Sequence, residues 1–111
     1  MMVRIYHNPR CSKSRQTLAL IEEKGITPDV ISYLDTPPTP QELAELINML
    51  GMQPEDILRK KEAKEEGIAD LRGQDLIEAL CAHPRAIERP IVVNGHKAAL
   101  GRPPENVLDI L

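Results

Sequence analysis

The 111-residue chain has no tryptophan and no phenylalanine, and its only aromatic residues are Tyr6 and Tyr33. Its core must therefore be aliphatic, built from Leu, Ile, Val, Met and Ala. The same scarcity argues against a nucleic-acid partner, because single-strand binders stack bases on aromatic faces. Cysteine is nearly as scarce. Cys11 and Cys81 are too few for a disulfide scaffold and form no metal-ligand pattern, so no metal is expected. No stretch approaches the roughly 20 apolar residues that span a membrane. The opening MMVRIYHNPRCSKSR also lacks the apolar region of a signal peptide. The expectation is a cytoplasmic protein without a membrane partner, in a compartment that keeps thiols reduced.

What is present is ordinary for a folded chain. Hydrophobic residues make up 41% and charged residues 28%, which argues against disorder, and the length suits one domain. The net charge of −3 hides an uneven distribution. Residues 1–21 carry four bases and no acid, and residues 79–111 carry four bases and three acids, whereas residues 22–78 carry six bases and fourteen acids. If the two ends meet, they create a local positive field on an acidic protein, suited to a small anion more than to a polyanion.

The β-branched and aromatic run at residues 3–6 predicts a strand, broken by His7-Asn8-Pro9. From Ser14, the apolar positions Leu18, Leu20 and Ile21 predict a helix that stops at Gly25, and residues 30–34 predict a second strand. Thr39 as N-cap, Pro40 in the first helical position and Glu42 at capping-box spacing start a further helix running to about Leu50 and Gly51. Residues 54–59 read as a short helix, 60–66 as a solvated turn or helix, and 75–82 as a helix ended by Pro84. A buried strand at residues 91–93 meets the hairpin signal Asn94-Gly95. The return strand is expected from His96 through residues 98–100, before a turn and a closing helix over 105–111. This order, βαβ, then helices, then ββα, is that of an α/β thioredoxin-like core of glutaredoxin type with a helical insertion. The expected organisation is a single domain, 1–111, with its core at about 1–35 and 84–111 and the insertion at about 39–83.

Cys11 falls between the first strand and the first helix, where unpaired N–H groups and the helix dipole favour an anion. Arg10, Lys13 and Arg15 add full positive charge, and His7 is close in sequence. These features favour thiolate over thiol and make Cys11 the candidate nucleophile. The segment Cys11-Ser12-Lys13-Ser14 is C-x-x-S, which excludes a dithiol cycle within the loop and leaves a monothiol mechanism completed by an outside thiol. Ser14 reads equally well as a hydrogen-bond donor to the thiolate or as a first-turn helix cap. Cys81, in a helical pattern, reads as a small core residue. Arg59, Arg89 and Arg102 stand at element boundaries. Each could grip a tetrahedral oxyanion through its paired donors, although spacing alone does not bring them to Cys11.

Four segments carry a resemblance: Ile5-Tyr6-His7-Asn8-Pro9-Arg10-Cys11-Ser12-Lys13-Ser14-Arg15, Leu58-Arg59-Lys60-Lys61, Arg89-Pro90-Ile91-Val92-Val93 and Gly101-Arg102-Pro103-Pro104-Glu105. In order and spacing they resemble the glutaredoxin-dependent arsenate reductase family of ArsC type, in its small reductase-like branch. The resemblance implies that Cys11 attacks arsenate or a similar oxyanion, that Arg59, Arg89 and Arg102 bind it, and that His7 and Ser14 assist the thiolate. It also implies glutathione as co-substrate, glutaredoxin as partner, no bound cofactor, and a cis bond at Arg89-Pro90. Two other readings stay open. A glutathione-dependent thiol reductase acting on another substrate would share the site. An Spx-like, RNA polymerase-binding regulator would share the fold, but such proteins usually carry the C-x-x-C switch that Ser14 removes here.

Overall fold

The computed structural model describes residues 2–111. The chain divides into two compact units, one formed by the residues up to Tyr33 together with Arg89–Leu111, the other by Leu34–Glu88.

The first unit is built on a four-stranded mixed sheet. Strand β1 (Val3–His7) continues through helix α1 (Ser12–Glu23) to β2 (Asp29–Ser32), and the chain returns to this sheet as the hairpin β3 (Ile91–Asn94) and β4 (Lys97–Leu100). The order is β2-β1-β3-β4, with β1 parallel to β2 and antiparallel to β3. This is the thioredoxin-like arrangement expected from the element order. The period of two along β1 puts Val3, Ile5 and His7 on one face. Ile5 pairs with Val92, which pairs with Ala99. Val3, Ile5 and Val92 pack with Ile21 of α1 and with Val107 to form an aliphatic core. Helix α1 buries Ser14, Thr17 and Ile21, so the end of its inner face nearest Cys11 is polar.

The second unit is helical. Helix α2 (Pro40–Leu50) starts as expected: Thr39 Oγ1 accepts from Glu42 N–H, Glu42 Oε1 accepts from Thr39 N–H, and Gly51 closes the helix in the left-handed conformation at φ 68°. A 3-10 turn (Pro54–Ile57), α3 (Lys60–Glu66), α4 (Gly73–Ala82) and a second 3-10 turn (Pro84–Ala86) follow. Leu43, Leu46, Ile57, Leu76 and Leu80 are buried. Cys81 is only half-buried, at the margin of this packing, whereas the sequence pattern predicts a core residue.

Three local expectations are corrected. The segment at 54–59 is helical only over Pro54–Ile57, and as a 3-10 turn. The closing segment Pro104–Ile110 is likewise 3-10 and not α. The hairpin turn is Gly95-His96, and the return strand begins at Lys97, which pairs with Asn94. Of the two turn residues only Gly95 takes positive φ, at the first loop position, where a type II′ turn favours glycine. Asn94 is held in the strand, and its Nδ2 donates to the Ile110 carbonyl at 2.6 Å. Both Arg89-Pro90 and Arg102-Pro103 are cis; the first was expected and the second was not.

Candidate active site

The link from β1 to α1 is built around Asn8. The carbonyl of Asn8 accepts from Cys11 N–H at 3.0 Å, closing a turn over Pro9 and Arg10, and Pro9 is preset for its place in that turn. Asn8 Oδ1 accepts from Arg10 N–H at 3.0 Å, and Arg15 Nη1 donates to the Pro9 carbonyl at 2.8 Å. The chain thus enters α1 with Cys11 as N-cap, in extended conformation (φ −92°, ψ 122°) and with no side-chain cap. The orphan amides of the first turn are left free to face the sulfur.

Behind this loop lies a buried polar pair. His7 Nδ1 is 2.6 Å from Ser14 Oγ, which also accepts from Asn8 N–H at 3.0 Å. The Ser14 hydroxyl is therefore engaged with His7 and Asn8, and what Ser14 gives to Cys11 is its backbone N–H. Burial, assisted by the charge of Arg15, holds the His7 pKa below the ordinary histidine value, so the ring is neutral around pH 7.

Two arginines reach the sulfur from the hairpin. Arg89 precedes β3 and its side chain donates to Cys11. Arg102 follows β4; its Nη1 donates to the Arg89 carbonyl at 3.1 Å and lies 3.8 Å from Cys11 Sγ. Partial burial pushes the Cys11 thiol up. The Ser14 N–H, the Arg89 hydrogen bond, the Lys13 N–H and the Arg89 charge together outweigh it, and the net shift is downward. Cys81 is the reverse case: burial, then Glu42 and Glu78, push its thiol up.

The structure therefore gathers Cys11, His7, Ser14, Arg89 and Arg102 in one unit. Arg59 belongs to the other. There its guanidinium donates to Glu62 at 2.7 Å and Glu88 at 2.9 Å, while its backbone N–H donates to the Ala86 carbonyl at 2.8 Å. Sequence reasoning passed over Asn8, Thr17 and Gly101. Asn8 had a signal, the Asn-Pro pair that initiates turns. Thr17 and Gly101 had none, because their meeting spans 84 residues. Among the described residues, no group of three or more His, Cys, Asp or Glu side chains is placed to hold a metal, and no helix is long and apolar enough to cross a membrane.

The fold and site define a thioredoxin-like protein with one thiolate-favouring cysteine at a helix start, under two arginines. Residues 6–110 match the ArsC family, and the chain belongs to that family. It is 46% identical to an arsenate reductase of Neisseria meningitidis, over 98% of this chain and 97% of that protein. It is 49% identical to YfgD of Escherichia coli K12, a protein without an assigned function, over 98% and 96% of the two chains. The solved structure of an arsenate reductase from Vibrio cholerae superposes with a TM-score of 0.92 at 49% identity, covering 100% of this chain and 98% of the other.

Proposed function

We propose that this protein is an arsenate reductase in which the Cys11 thiolate attacks arsenate and glutathione with glutaredoxin completes the cycle. The carrying observation is the placement of Cys11 Sγ at the start of α1, with Arg102 Nη1 at 3.8 Å and Arg89 donating to the same sulfur. A thiolate and an arsenate dianion repel one another. Guanidinium groups and helix amides offset that repulsion, most strongly as charge gathers in the transition state.

The electron balance then fixes what else is needed. A sulfur–arsenic bond forms at Cys11 as one arsenate oxygen leaves as water. A glutathione thiol supplies the second sulfur, and the two sulfurs end joined as a disulfide while arsenic gains two electrons and departs as arsenite. Glutaredoxin exchanges with that mixed disulfide and restores the Cys11 thiol, a cycle suited to the reducing cytoplasm. No bound organic cofactor or metal enters this balance.

The test is consumption of NADPH in the presence of arsenate, glutathione, glutaredoxin and glutathione reductase. The wild type should turn over, Cys11→Ser should lose turnover to background, and Cys81→Ser should keep most of it. Equal loss from both substitutions would overturn the monothiol cycle. Turnover of a disulfide substrate without any of arsenate would favour a general thiol reductase.

A further inference from the structure

The contact between α1 and the end of the hairpin leaves no space for a side chain. Gly101 is buried between Thr17 of α1 and Pro90, and its N–H donates to the Pro90 carbonyl at 2.9 Å. A Cβ built on Gly101 would lie 2.5 Å from Thr17 Oγ1, 2.8 Å from Pro90 Cγ and 3.1 Å from Thr17 Cγ2. The φ of Gly101 is not positive, so the demand for glycine here is one of space and not of backbone conformation. Thr17 is itself fully buried, and its hydroxyl lies 2.7 Å from the Lys13 carbonyl and 3.5 Å from that of Gly101.

The position of this contact gives it a consequence. Thr17 sits on the helix that carries Cys11 at its start. Gly101 immediately precedes Arg102, and Pro90 immediately follows Arg89. The three residues meet where the nucleophile-bearing helix touches both arginine-bearing segments. A group inserted there would press the helix that begins at Cys11 against the segments that carry Arg89 and Arg102.

We propose that Gly101 and Thr17 are positioning residues whose close approach sets the distance between Cys11 and the arginine pair, and so governs the site's hold on its oxyanion; this rests on the oxyanion-binding reading above. A misplacement of about 1 Å is enough to cost roughly a hundredfold in rate at a reacting centre. Neither residue touches the sulfur, so the effect reaches the chemistry through Arg89 and Arg102.

The experiment compares wild type, Gly101→Ala, Thr17→Ala and the double variant. For each, the pH midpoint of Cys11 alkylation and the arsenate concentration giving half-protection are measured, beside thermal melts. Gly101→Ala should raise the alkylation midpoint towards the free-cysteine value and raise the half-protection concentration roughly tenfold or more. Adding Gly101→Ala to Thr17→Ala should cost less than adding it to wild type, since two of the three closest atoms are gone. Unchanged midpoint and protection in Gly101→Ala, however far the melting temperature falls, would overturn the proposal and leave only a structural role. Should Gly101→Ala fail to fold, Thr17→Ala alone is judged against wild type: a raised midpoint with a raised half-protection concentration supports the proposal, and unchanged values contradict it. If arsenate does not protect the wild type but Gly101→Ala still moves the alkylation midpoint, the arsenate reading fails while the positioning role stands.

Discussion

The Ser14 amide and then the Arg89 side chain are the leading causes that lower the Cys11 pKa. Arg102 Nη1, at 3.8 Å, is at the far end of hydrogen-bond reach to sulfur and shares its donor with the Arg89 carbonyl. Arg89→Gln should therefore raise the midpoint of Cys11 alkylation more than Arg102→Gln does, while both weaken protection by arsenate. Equal midpoints would contradict this ranking. Cys81 supplies an internal control, because its thiol is pushed up where that of Cys11 is pushed down. His7 makes a different prediction, for stability. Its folded pKa lies below the ordinary value of about 6.5, so below that pH the unfolded chain takes up the proton more readily. The stabilisation is whole above about pH 6.5 and is lost as pH falls through the lowered folded value. Melts recorded between about pH 7 and pH 5 should fall more steeply for wild type than for His7→Asn, and parallel curves would show that His7 titrates alike in both states.

At the scale of elements, the readable parts were those fixed by residues close in sequence. Helix α2 was legible to the residue, because Thr39, Pro40, Glu42 and Gly51 carry both of its ends. Removing the cap by Thr39→Ala should cost about 1 kcal/mol in denaturant unfolding and leave Cys11 alkylation unchanged; a loss of thiol reactivity would show that α2 matters to the site in a way its cap does not explain. Strands β1 and β3 and helix α1 were legible for the same local reason, although β1 runs on through His7 and α1 starts at Ser12, two residues before the expected Ser14. The hairpin turn was displaced by one residue, because the Asn94 side chain is recruited by the Ile110 carbonyl, 16 residues away. The site was legible in part. The basic helix start marked Cys11, but the engagement of the Ser14 hydroxyl by His7 and the meeting of Thr17 with Gly101 depend on packing that no local pattern carries.

At the scale of the whole molecule, the division into units sorts the charge. The unit holding Cys11, Arg89 and Arg102 carries eight bases against five acids, and the unit Leu34–Glu88 carries six against twelve. The two ends of the chain do meet, and the positive excess expected of them falls on the unit that contains the thiol. Such a field draws a small anion and favours its thiolate neighbour, so one measurement bears on both. The rate at which Cys11 is alkylated should be followed by peptide mass mapping, which separates it from Cys81, against pH, with and without arsenate. The account predicts a midpoint below the free-cysteine value of about 8.5, with arsenate slowing the modification of Cys11 and not that of Cys81. A midpoint at the free-cysteine value, with no protection by arsenate, would contradict it.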